Sequence, residues 1–270
     1  MRHPLSAKVG TKLRRQAAVA RGILLQGREQ YEEAIQSYQL AIQYRPTLAL
    51  AHLNLAQLLE RRGRYEEAVA VYRRCSRLNG AGLKDPRTHE ATKISALLHL
   101  GRLYADQGRL HKAVAMYQEA VEKMPEHYPP QAVYTLLGEA HSRLQQHEEA
   151  ERWYQAALQA EPGHVPAHLT YGSMLARNKS RALEAEQWFQ RATELAPNDP
   201  TVFKHFGKIQ HLYEHTPYCD LLYTRIILET SVMQTFAWEE TVSLNECKNQ
   251  EYILTCVLRN SAYDIGNIVH

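Results

Sequence analysis

The chain has 270 residues, with 32 Lys+Arg against 29 Asp+Glu and a formal charge of +3, so there is no electrostatic case for nucleic acid or an anionic membrane surface. Charged residues make up 23% of the chain and are mixed along it, the pattern of a solvated helical surface. Four cysteines (Cys75, Cys219, Cys247, Cys256) form no C-x-x-C pair or disulfide scaffold, no apolar h-region follows Met1, and no run of about 18 apolar residues is present to span a bilayer.

Residues 1–11 are expected to be disordered, and a repeat array to occupy 12–209. The first unit pairs Ala18-Arg21-Gly22 with YEEAIQSYQLAIQYRP (Tyr31 to Pro46). The second pairs His52-Leu55-Ala56 with YEEAVAVYRRCSRLNG (Tyr65 to Gly80). An insert near 81–92 follows, in AGLKDPRTHEATKIS, where Pro86 is suited to open a helix capped by Asp85 and running through Gln107. The third unit pairs Leu97-Leu100-Gly101 with HKAVAMYQEAVEKMP, and the fourth pairs Tyr134-Leu137-Gly138 with HEEAERWYQAALQAEP. The fifth pairs His168-Tyr171-Gly172 with ALEAEQWFQRATELAP, across the turn LARNKSRALE. A sixth first helix begins at PTVFKHFGK, with Phe203, Phe206 and Gly207 in the same spacing.

The leading alanines Ala34, Ala68, Ala113, Ala150 and Ala185 are separated by 34, 45, 37 and 35 residues. The first interval is the tetratricopeptide period. Small residues (Ala34, Ala68, Gly101, Gly138) fall where paired helices touch, and Tyr38, Tyr72, Tyr117, Tyr154 and Phe189 fill the wedge four residues after each leading alanine. Pro46, Pro125, Pro162 and Pro197 end the second helices, because proline cannot continue one. Pro130, Pro166 and Pro200 suit the first turn of the next helix, with Asp199 as an N-cap. The signature predicts an all-α fold: a tetratricopeptide-repeat (TPR) α-solenoid of five full repeats plus a partial sixth, with a non-repeat C-terminal tail. That tail, 210–270, is unrelated to the repeats and expected to be poorly ordered. It suggests an alternative terminus such as a splice variant.

Catalytic chemistry is not expected within the chain. It contains no Walker loop, G-x-S-x-G, H-E-x-x-H or Rossmann glycine pattern. The acidic pairs Glu32-Glu33, Glu66-Glu67 and Glu148-Glu149 open second helices, where the dipole favours them. His164 and His168 flank Pro166, and His211, His215 and Cys219 lack a fourth ligand, so neither a metal nor a cofactor is expected. Function is expected on the concave face, which the first helices line and where extended peptides bind. Helical register directs Asn54, Gln57, Arg61, His99, Arg102, Glu139, Arg143 and Thr170 toward that groove. Only Asn54 fits the carboxylate clamp of chaperone co-factors, so an Hsp90 or Hsp70 tail is a poor match.

Three stretches carry a narrower likeness: KDPRTHEATKISALLHLGRLYADQG, MPEHYPPQAVYTLLGEA and HVPAHLTYGSMLA. Across residues 1–209 the chain resembles the transmembrane and tetratricopeptide-repeat-containing family of protein O-mannosyltransferases. The resemblance implies repeats in the endoplasmic reticulum lumen that bind partners or substrates. It also implies a separate membrane portion that transfers mannose from dolichyl-phosphate mannose to Ser/Thr, with cadherin-type acceptors. No catalytic residue of that family maps onto this sequence. Asn178-Lys179-Ser180 is an N-glycosylation sequon in the turn of the fifth unit. The alternative reading is a cytosolic adaptor that binds extended peptides in the same groove.

Overall fold

The computed structural model describes residues 4–80, 85–202 and 205. All that follows concerns Met1–His205, the first of the two units into which the chain divides. The tail 210–270 and the expected positions Phe203, Phe206, Gly207, His211, His215 and Cys219 lie outside the described residues.

The described residues form an all-α array. Its helices are α1 (Pro4–Gly27), α2 (Tyr31–Tyr44), α3 (Ala49–Arg61), α4 (Tyr65–Ser76), α5 (Pro86–Asp106), α6 (Leu110–Lys123), α7 (Gln131–Arg143), α8 (His147–Ala160), α9 (Val165–Leu175) and α10 (Ala182–Leu195), with a 3₁₀ turn at Lys179–Arg181. Odd and even helices pair as hairpins, and each even helix packs on the odd helix that follows. Odd helices also meet across units, α3 with α5 and α7 with α9. This is the TPR solenoid that the spacing predicts. No described helix is long and apolar enough to cross a membrane.

Local chemistry explains the boundaries. Asp85 accepts a hydrogen bond from the Thr88 N–H at 3.0 Å, and Pro86 opens α5. Asp199 likewise accepts from the Thr201 N–H at 2.8 Å. Within the first four hairpins the chain reverses through a left-handed residue, and in the fifth through the 3₁₀ turn. Gly63 (φ 75°) and Gly108 (φ 74°) adopt that conformation without a Cβ penalty, whereas the first and fourth hairpins place Glu29 and Gln145 there. One boundary differs from expectation: α1 begins at Pro4, so it runs through most of the stretch 1–11 expected to be disordered. Proline fits a first helical turn, and no second proline follows to break the helix.

The core is a series of small–aromatic contacts. A Cβ added to Gly22 would lie 2.6 Å from the Tyr38 ring, one on Gly138 2.7 Å from Tyr154, and one on Gly172 2.8 Å from Phe189. Gly101 meets Tyr117 in the same way, and Ala56 holds the equivalent place in the second unit. All five aromatic rings are buried, each burial stabilising the array by about 1.5–3 kcal/mol. Between α3 and α4 the buried Cys75 thiol donates to the Ala49 carbonyl at 3.4 Å, and burial pushes its pKa up to about 12.

Candidate partner-binding groove

Each tyrosine that wedges an even helix against its odd partner extends its hydroxyl into the seam between consecutive odd helices. Tyr38 donates to Gln26 Oε1 of α1 at 3.2 Å, and Asn54 of α3 lies against the same hydroxyl. Tyr72 donates to Glu60 Oε2 of α3 at 2.5 Å. The Tyr117 hydroxyl sits in the field of Glu139 and Arg143 of α7 and of Arg102 and Asp106 of α5. Tyr154 meets Thr170 of α9, with Glu139 and Arg177 nearby. Burial raises the pKa of all four phenols, so they stay neutral donors. At Tyr72 the neighbouring Glu60 raises it further.

The seam between α3 and α5 is built most closely. Gln57 Nε2 lies 2.9 Å from His99 Nε2. An amide nitrogen can only donate, so the imidazole accepts there and carries its proton on Nδ1. The ring stacks on Tyr72, with centroids 5.7 Å apart and planes 2° from parallel. Burial lowers the His99 pKa; Glu60 partly offsets this, while Arg102 and Arg61 lower it again. Arg61 and Arg102 are both exposed.

Most of the expected groove residues therefore converge on this row of hydroxyls, but two are committed to the scaffold. Arg143 Nη2 donates to the Ala105 carbonyl at 2.7 Å, satisfying the C-terminal end of α5, where cations are favoured. Thr170 donates to the Pro166 carbonyl of its own helix at 2.8 Å. Sequence register missed Glu60, Asp106 and Arg177. A signal was available: Glu60 lies four residues after the small residue of its odd helix, and Asp106 and Arg177 lie five after theirs.

Asn178 is exposed at the head of the 3₁₀ turn, and its Oδ1 accepts from the Ser180 N–H at 3.1 Å and from the Ser180 hydroxyl at 2.8 Å. Arg181 anchors this turn, pairing with Glu184 at 2.8 Å and also with Glu151 of α8. His164 and His168 turn to different partners. His164 lies 3.4 Å from Glu161, whereas His168 Nε2 bonds the Pro162 carbonyl at 2.9 Å with its ring against Trp188.

Comparison with known proteins fits this architecture. Three family models described as tetratricopeptide repeat match residues 92–162, 135–200 and 51–87, and one described as TPR repeat matches 27–63. The chain is 44% identical over 132 residues to protein O-mannosyl-transferase TMTC2 of Homo sapiens, covering 49% of this chain and 16% of that protein. It is 43% identical over 227 residues to protein O-mannosyl-transferase Tmtc2 of Drosophila melanogaster, covering 71% and 24%. The likeness read from the three stretches is thus borne out over the repeat region, and the chain spans 16% and 24% of the length of these two relatives. Among solved structures, one from a functional characterization of Pseudomonas aeruginosa pilF gives a TM-score of 0.60 at 16% identity, over 82% of this chain and 93% of that one. PilW, a type IV pilus biogenesis factor, gives 0.60 at 16% identity over 80% and 94%. At such identity the likeness is one of fold alone.

Proposed function

Because the chain belongs to the tetratricopeptide-repeat family, with repeats akin to those of the protein O-mannosyl-transferases, we propose that its array is the partner- and substrate-binding module of an O-mannosylation system in the endoplasmic reticulum lumen. The groove holds an extended segment of an acceptor protein, cadherin-type by family likeness. Mannosyl transfer from dolichyl-phosphate mannose to Ser/Thr is the work of the membrane portion that the likeness implies. One observation carries the reading: the ends of the buried tyrosines meet a different polar set at every seam, from Gln26 and Asn54 to Glu60, then Glu139 with Arg102, then Thr170. A surface that changes chemistry rung by rung suits recognition of a particular extended sequence.

A photo-crosslinking residue at Arg102, with one at the exposed Leu183 of α10 as control, tests this against a purified cadherin-type domain. Crosslinking from position 102 and not from 183 is the expected result, and equal labelling from both would refute a groove. The lumenal assignment is tested separately on microsomes from cells expressing the chain. Protease-protected protein that shifts mobility with endoglycosidase H, and loses the shift in Asn178→Gln, fits a lumenal array glycosylated at Asn178. Digested, unshifted protein would instead make this form a cytosolic adaptor.

A further inference from the structure

We propose that the stripe Ala17, Arg21 and Leu24 of α1 docks an amphipathic α-helix of a partner protein. That helix lies across α1 as each even helix lies on the odd helix that follows it, with a carboxylate opposite Arg21. The surface is separate from the groove, and the proposal does not rest on the groove reading.

The array itself supplies the comparison. The three residues are spaced four and three apart, so they share one face of the helix. Two precede Gly22, the small residue under the Tyr38 ring, by five and one, and the third follows it by two. Every other odd helix buries all three places. The first holds Ala51, Ala96, Val133 and Ala167, and the second Leu55, Leu100, Leu137 and Tyr171, all of them buried. The third holds Leu58, Leu103, Ala140 and Met174, none more than 4% exposed. In α1 all three residues are exposed, Leu24 at 65%. A lone exposed leucine needs no explanation, but a face that four sister helices bury does.

The internal contacts specify what fits there. Ala51 of α3 packs in one cluster with Ala41 of α2, the small residue seven after a leading alanine. Tyr171 of α9 stacks on Tyr154 of α8, with centroids 5.3 Å apart, and its hydroxyl donates to Glu151 Oε2 at 3.4 Å. Glu151 stands one residue after the leading alanine of α8, and Arg21 holds in α1 the place of Tyr171. A helix laid on α1 as α8 lies on α9 therefore sets a small residue against Ala17 and a carboxylate against the Arg21 guanidinium. Arg21 reaches Glu33 at 3.9 Å with both side chains more than half exposed, a pair too wet and too long to hold it. Residues 1–28 carry seven Lys or Arg and no Asp or Glu, so the whole of α1 favours an acidic helix.

The test uses the full chain and a hydrocarbon-stapled peptide with the sequence of α8, HEEAERWYQAALQA, the staple holding a helix too short to be stable alone. Binding is followed by fluorescence anisotropy. Leu24→Asp is expected to weaken it about tenfold or more, and Leu183→Asp, at an exposed leucine of α10, to leave it unchanged. Arg21→Glu should weaken the same probe and prefer one carrying Glu151→Arg, a reversal that packing alone would not produce. Both α1 side chains are exposed, so neither variant disturbs the core.

A second readout needs no variant. A photoreactive leucine at Leu158 of the probe, mapped by mass spectrometry, should mark α1 of the wild-type chain. Equal binding to Leu24→Asp and Leu183→Asp, or labelling spread outside α1, would overturn the docking face. So would failure of the probe to bind, and if phosphatidylserine vesicles then bound the chain in a manner that Leu24→Asp abolished, the face would be a lipid contact instead.

Discussion

The two ends of each wedging aromatic follow different rules. At the inner end the contact is nearly invariant: Gly22 on Tyr38, Gly101 on Tyr117, Gly138 on Tyr154 and Gly172 on Phe189. At the seam end nothing repeats, since Tyr38 meets Gln26, Tyr72 meets Glu60, Tyr117 lies among four charged side chains, and Phe189 has no hydroxyl to offer. Close packing tolerates little change in shape, so one solution recurs. A half-wet seam tolerates many polar combinations, each worth little to stability, and recognition can be written there.

If that division holds, damage at the inner end should cost far more than damage at the seam. Tyr154→Ala empties a fully buried site and is expected to destabilise the fourth unit by about 3–5 kcal/mol in denaturant unfolding. Gly138→Val drives a branched side chain into the Tyr154 ring and should cost about 2–3 kcal/mol in the same measurement. A loss under about 0.5 kcal/mol for either would show that the inner contact is not what holds the unit.

Tyr72→Phe sharpens the contrast from the other side, because it keeps the ring and removes only the seam contact. It should cost about 1 kcal/mol. A loss of about 3 kcal/mol or more in denaturant unfolding would show that the seam contact holds the unit as firmly as the inner one.

The smallest expected effect is one of pH. His52 of α3 is buried, its Nδ1 donates to the Leu48 carbonyl at 3.0 Å, and its Nε2 has no partner among the described residues. Burial lowers its pKa below the ordinary 6.5. The unfolded chain therefore takes the proton first as pH falls through about 6.5, and stability declines from there toward acid. His52→Leu should flatten that slope in melting temperatures measured across the range. An equally steep slope in the variant would assign it to other groups.

The periodic half of this design was readable from residue order. Small residues and aromatics recur because two packed helices impose their spacing on the chain, and so the hairpins, the Asp85 cap and the solenoid could be anticipated. The seam was only partly readable. Gln57 and His99 were both placed on the groove face, but their contact spans 42 residues and an insert, and it depends on how far successive units stagger. Arg143 was directed into the groove by register, yet its side chain donates to the Ala105 carbonyl of the preceding unit, which also accepts from the Gly108 N–H at 3.0 Å. Register gives a side chain's direction of departure, and competition among neighbours decides where it stops.

Cys75 gives the array a chemical clock. Only a thiolate is alkylated, and this thiol, closed in between α3 and α4 and raised to about 12, offers almost none while the hairpin is shut. Its labelling rate, followed by mass spectrometry of its own peptide so that Cys219, Cys247 and Cys256 do not intrude, therefore counts openings of the second unit. A groove ligand that bridges α3 and α5 should slow that clock, even at concentrations where it leaves the melting of the whole chain unmoved.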